Sequence, residues 1–235
     1  NILETNARWR KIPTFNRDLF PPWEDKQFDS NFNKVQQKRL TIVTDDYVVI
    51  ADYMKAPQKH TYDWLLHPIG LKSTEGLKEK GTLLDVINSK FDSPYKYFKN
   101  AQWFKMNNRS MLHFEDADAN LDVHTIWPKK ADVVVSNYPN GGKPRGIRNN
   151  PDRKTYGIRL KSKEAFFLNV IEPYKGKTVI DKIESKSENE VIVYLIDGRK
   201  QVISIIDLKE NDTQITLTEF IDGKKITSEN TATIQ

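Results

Sequence analysis

The chain holds four histidines, His60, His67, His113 and His124, and no cysteine, so imidazole and carboxylate are the donors left for acid-base or metal chemistry. Disulfides, thiolate metal sites and a catalytic thiol are excluded with the cysteines. His60 and His67 flank Asp63, a grouping that suggests a metal site. Their spacing opposes it, because side chains seven apart on one strand point to opposite faces. No third ligand stands at a zinc-like spacing either. Asp63 and His67 therefore read as groups that satisfy buried polar partners, with His67 the better functional candidate of the two histidines. His113 with Glu115, and Asp122 with His124, share a strand face through a separation of two. A carboxylate beside an imidazole raises its pKa and suits general acid work, but such pairs are common on solvated sheets. No catalytic residue, metal or cofactor is assigned.

Residues 137–154 hold three prolines, three glycines and almost no large aliphatic side chain, and so form a long exposed loop. From Lys143 to Lys163 the basic residues Lys143, Arg145, Arg148, Arg153, Lys154, Arg159, Lys161 and Lys163 meet a single acidic one, Asp152. Arginine grips carboxylate or sulfate with two parallel hydrogen bonds, and glycine lets backbone approach an anion closely. Tyr138 at the start of the loop offers a ring on which a sugar can stack. Tyr138, Lys143, Arg145, Arg148 and His67 are thus the candidate binding residues for an anionic glycan, set against a plain solvated loop. Trp64 and Trp127 sit inside strand-like runs and read as core.

These side chains must be carried by strands. The 235 residues, 37% of them hydrophobic, suffice for one large β domain or two small ones. A net charge of +5 is too mild for nucleic acid, and the basic residues gather in one loop rather than along a face with stacking aromatics. Apolar runs such as Tyr47 to Ala51 and Val191 to Ile196 fall far short of the roughly 18 residues of a membrane span, and Asn1 to Lys11 lacks the apolar region of a signal peptide.

Residues 1–37 show neither strand nor helix period and read as an irregular, aromatic-rich arm packed on the sandwich. Arg39 to Thr44 and Tyr47 to Tyr53 across Asp45-Asp46 predict a hairpin, and Thr61 to His67 a third strand. Gly81 to Asn88 fits a short helix or a strand. Further strands are expected at Ala101 to Met106, Ser110 to Phe114, Leu121 to Trp127, Ala131 to Ser136, Thr155 to Leu160 and Ala165 to Ile171. Asp197-Gly198 and Asp222-Gly223 each join two apolar runs, a strong hairpin signal. The sum is an all-β fold, a large antiparallel β-sandwich of supersandwich type with little helix, over 38–235, with 173–235 either part of it or a small separate β-sheet.

The run Thr41-Ile-Val-Thr-Asp-Asp-Tyr-Val-Val-Ile-Ala-Asp-Tyr53, followed by His60-Thr-Tyr-Asp-Trp-Leu-Leu-His-Pro-Ile-Gly70, resembles the β-sandwich of heparinase II/III-like polysaccharide lyases. Ser93 to Asn100 and Ala165 to Tyr174 are similar to later pieces of that family, in the same order. The resemblance implies an upstream α/α-toroid domain in the parent protein, an acidic, uronate-containing polysaccharide in the cleft between toroid and sandwich, and a secreted or periplasmic bacterial setting. In such lyases the acid-base residues come mainly from the toroid and from the first sandwich strands, which carry a His-x-His-x-Asp motif and a His-Asn pair, and the metal ligands known in part of the family belong to the same segments; neither motif is in this sequence. β-Elimination at a uronic acid needs a base near C5, a donor for the leaving oxygen and groups that neutralise the carboxylate. One sandwich face does not surround a sugar with all three, so this chain is expected to form one wall of the cleft without being catalytic alone. The alternative is a stand-alone carbohydrate-binding or cell-surface module.

Overall fold

The computed structural model describes residues 2–8, 35–82, 98–138, 152–209, 213–226 and 230–234. Every strand pairing among them is antiparallel, and no helix occurs among the described residues. The all-β sandwich expected from the sequence is the fold observed.

The hairpin across Asp45-Asp46 joins β2 (Gln36–Val43) to β3 (Val48–Leu66), with Val43 opposite Val48. Thr44 closes the turn: its Oγ1 accepts from the Tyr47 amide at 2.9 Å and donates to the Tyr47 carbonyl at 2.8 Å. β3 then runs antiparallel to β8 (Lys154–Lys175) along nearly its whole length, with a register shift between Lys55 and His60. The third strand expected at Thr61 to His67 is thus the far half of β3. The same correction applies twice more: Ala101 to Met106 and Ser110 to Phe114 form one strand, β5 (Lys99–Asp116), and Thr155 to Leu160 and Ala165 to Ile171 are both β8. In each case the residues between the two expected strands sit inside one continuous strand. An irregularity of this kind bends and twists a strand without reversing it.

The first sheet has eight strands, in the order β1 (Ile2–Arg8), β2, β3, β8, β6 (Ala119–Trp127), β5 and β4 (Leu71–Thr82). β7 (Ala131–Asn137) fills the space between β5 and β8 beyond the end of β6. β1 pairs with β2 where the sequence suggested only an irregular arm. Gln36 and Gln37 at the end of the arm open β2, and Gly81 and Thr82, the start of the ambiguous run to Asn88, end β4; residues 9–34 and 83–97 lie outside the described residues. The second sheet has six strands, β9 (Ile180–Ser187), β10 (Glu190–Leu195), β11 (Arg199–Ile206), β12 (Thr213–Ile221), β13 (Lys224–Lys225) and β14 (Asn230–Ile234).

Alternation along β8 explains the layering. Phe166, Leu168 and Val170 join Leu40, Val49, Ala51 and Tyr53 in one buried cluster, which also takes in Ile183, Val191, Val193, Ile203, Ile205 and Ile215 of the second sheet. The two sheets therefore share a core. Phe167 points the other way, into a second cluster with Trp64, Leu112, Phe114, Val123, Tyr156 and Ile158. Polar ties join the sheets around the shared core. The Tyr47 hydroxyl donates to Gln201 Oε1 at 2.5 Å, Arg199 meets Asp46 at 2.9 Å, and Arg109 donates to the Ile183 carbonyl at 2.6 Å. Burial pushes the Tyr47 hydroxyl pKa up.

Candidate functional site

At the end of β3 the chain leaves the sheet as His67-Pro68-Ile69-Gly70 and is held there by backbone bonds to two distant segments. Ile69 bridges Arg153, the Gly70 amide donates to the Asp152 carbonyl at 3.1 Å, and the Glu115 amide donates to the Gly70 carbonyl at 2.9 Å. The Lys154 amide donates to the Pro68 carbonyl at 2.7 Å, and the Tyr138 amide to the Arg153 carbonyl at 2.9 Å. Only glycine fits this crossing, since Gly70 has φ +76° and a Cβ would lie 1.9 Å from the Glu115 carbonyl oxygen. The crossing brings together side chains that are far apart in sequence.

The His67 ring meets the Tyr138 ring edge-on at 4.9 Å between centroids, and the Arg153 guanidinium lies 5.4 Å from the Tyr138 ring centre. His67 Nδ1 sits 3.2 Å from Thr155 Oγ1. Partial burial, and then the nearby Arg153 charge, lower the His67 pKa. No carboxylate pairs with Arg153 among the described residues, and its buried Nε has no hydrogen-bond partner there. His67, Pro68 and Ile69 also line an open groove of about 240 Å³, facing Asp116, Ala119, Asn120 and Leu121. Among the described residues this surface thus offers an aromatic ring, an arginine without a counter-charge and an imidazole, groups whose chemistry is complementary to an anionic, ring-shaped ligand.

Of the candidates named from the sequence, Tyr138 and His67 are brought into contact, while Lys143, Arg145 and Arg148 lie outside the described residues. The loop's other basic groups divide. Lys154 Nζ donates to Asn137 Oδ1 at 2.8 Å, and Arg159 is taken up by Asp63, to which it donates twice at 2.7 Å. Asp63 is therefore an ion-pair partner on the sheet. The core reading of the tryptophans matches the packing: Trp64 is buried with its Nε1 donating to Asp52 at 2.9 Å, and Trp127 packs against the shared core.

A second constellation was only partly anticipated. Asp122 and His124 share one face of β6, as their spacing suggests, but His113 turns away from Glu115: its Nδ1 lies 2.6 Å from Asp122 Oδ1 across the strand pair, while Glu115 meets Lys72 at 3.7 Å. On the other side of Asp122, directly opposite in register, stands Glu172 of β8, which the sequence reading did not single out. Its carboxylate accepts from Thr178 Oγ1 at 2.8 Å and from the Val179 amide at 2.6 Å. Burial raises the Glu172 pKa against those hydrogen bonds, and burial lowers that of His124. The Tyr174 hydroxyl, 3.3 Å from Asp122 Oδ2, is pushed up to about 12, by burial first and then by that carboxylate. Strand alternation did contain a signal for Glu172, because it continues the inward-facing series Phe166, Leu168, Val170 and so had to be a buried carboxylate.

No family model and no curated protein sequence matches this chain. Among solved structures, the chain is similar to a mutant of the heparan sulfate lyase HepC from Pedobacter heparinus, at 15% identity and a TM-score of 0.41, over 83% of this chain and 24% of that one. A second structure of HepC from Pedobacter heparinus gives the same identity and coverage with a TM-score of 0.40. The chain thus spans about a quarter of the length of these structures, at 24%.

Proposed function

We propose that this chain is a β-sandwich of the heparinase II/III-like polysaccharide lyase kind, which presents one wall of a cleft to an acidic, uronate-containing polysaccharide and performs no elimination by itself. The observation that carries this reading is the packing of Tyr138 between His67 and Arg153 at the root of the basic loop. An aromatic face and an arginine with no carboxylate partner among the described residues are complementary to a sugar ring bearing carboxylate or sulfate. The ordered sequence pieces from Thr41 to Tyr174 support the same reading. In this role the sandwich orients the polymer, and an α/α-toroid of the same parent protein, in an exported bacterial setting, supplies the base and the proton donor.

Affinity electrophoresis against heparan sulfate, chondroitin sulfate, alginate and a neutral glycan tests the reading. Retardation by an acidic polymer that is lost when Lys143, Arg145 and Arg148 are all changed to Ala is the expected result. No retardation by any acidic polymer would overturn it. Formation of unsaturated uronate product by the chain alone would contradict the non-catalytic role.

A further inference from the structure

The second constellation lies on the face of β6 turned toward the second sheet, since His124 is paired in register with Val170, a member of the core the two sheets share. The groove beside His67 is lined by Leu121, which lies among the hydrophobics packed against the other core cluster. The constellation is therefore separate from the candidate glycan surface. One ring nitrogen of His124 and one carboxylate oxygen from each of Asp122 and Glu172 all lie within 4.8 Å of one another. Both carboxylates are buried, Asp122 at 8% exposure and Glu172 at 0%. Among the described residues neither is paired with a lysine or arginine, and the only cationic partner of Asp122 is His113 when protonated. His124 Nε2 is buried with no hydrogen-bond partner among the described residues.

The two buried carboxylates are hydrogen-bonded but have no fixed cation beside them, and among the described residues the neighbouring imidazole nitrogen has neither donor nor acceptor, so the group as a whole lacks a positive centre. A divalent cation satisfies all three groups at once. We infer that Asp122, His124 and Glu172 form a binding site for a divalent transition ion of the zinc type.

One imidazole and two carboxylates form a mixed nitrogen and oxygen set that suits zinc, whereas calcium takes six to eight oxygens. A tetrahedral zinc holds neighbouring donors roughly 3.3 Å apart, so the three side chains draw inward from their present separation. His113 stands behind the site with Nδ1 on Asp122 Oδ1, and orients that carboxylate as outer-shell partners of metal ligands do. Arg109, anchored on the Ile183 carbonyl and close enough to act on the His124 charge, is the opposing cation nearby. The ion would tie β6 to β8 next to the turn that leads into the second sheet.

The test is calorimetric titration of the full 235-residue chain, stripped with chelator, with zinc chloride, alongside thermal melts with and without the metal. One equivalent of zinc bound, with a raised melting temperature, is expected. His124→Gln and Asp122→Asn should each abolish binding while far-UV circular dichroism stays unchanged. His113→Gln should weaken binding by roughly 10- to 100-fold, and His67→Gln should leave it intact. The assignment is overturned if no zinc binds, if binding survives in both His124→Gln and Asp122→Asn, or if calcium binds in preference to zinc. Should one variant fail to fold, the other decides.

Discussion

Asp52 has no exposed surface, and its carboxylate is fully partnered: Arg39 donates to both its oxygens at 2.7 and 3.0 Å and the Trp64 indole donates at 2.9 Å. Removing the carboxylate leaves a buried indole N–H and a guanidinium without partners. Asp52→Ala should therefore lower stability by about 3 kcal/mol, measured by urea unfolding, and Arg39→Ala, which leaves the fully buried carboxylate with only the indole as partner, should cost at least as much. His67 gives a pH test of definite sign. Its folded pKa lies below the ordinary value of 6.5, so the fold favours the neutral ring. Its contribution is fully present above 6.5 and is lost as the pH falls from there through the lowered folded value. Between about pH 8 and about pH 5 the urea midpoint of the wild type should fall further than that of His67→Gln; equal falls would show that His67 is not held neutral by its surroundings.

At the scale of elements, Gly70 does most to position the candidate surface, since its backbone holds the His67 segment against both Asp152 and β5. Gly70→Ala meets a carbonyl oxygen at 1.9 Å as well as a positive φ. It should destabilise the protein by more than about 2 kcal/mol and weaken glycan retardation with it. Gly176→Ala, also at positive φ but with open space around the new methyl, should cost less. The sequence was legible where local chemistry decides the outcome. Asp222-Gly223 forms the expected hairpin with φ of +49° and +74°. At Asp197-Gly198 only the glycine is at positive φ, +88°, because the Asp197 carboxylate instead accepts from the Arg199 amide at 3.0 Å. It was not legible where strands run on through polar residues. Residues between Lys55 and His60 and the pair Asn107-Asn108 fall at register shifts, and the pairings on either side of them, with β8, β4 and β7, carry β3 and β5 straight through. The candidate site divides in the same way. Tyr138 and His67 were nameable one by one, but their contact depends on the Ile69 to Arg153 bridge, which joins segments more than eighty residues apart. Glu172 escaped notice because its partners belong to another strand and to the following turn.

At the scale of the whole molecule, the two sheets hold one apolar cluster in common and are pinned at its rim by Tyr47 to Gln201 and by Arg199 to Asp46. Unfolding one sheet would strip the cover from the other. Urea unfolding followed by tryptophan fluorescence should coincide with that followed by far-UV circular dichroism, because all five tryptophans precede the second sheet in the chain while strand content comes from both sheets. Two separated transitions would mean that the sheets unfold independently. The surface of His67, Tyr138 and Arg153, proposed to meet an acidic glycan, sits on this scaffold. The most direct measurement is calorimetric titration of heparan sulfate and alginate oligosaccharides into the wild type and into a Tyr138→Ala, Arg153→Ala double variant, with a neutral oligosaccharide as control. Binding of an acidic oligosaccharide by the wild type, weakened at least tenfold in the double variant and absent for the neutral control, is the expected result. Equal binding by both proteins, or no binding of any acidic oligosaccharide, would contradict the assignment of this surface to acidic polysaccharide.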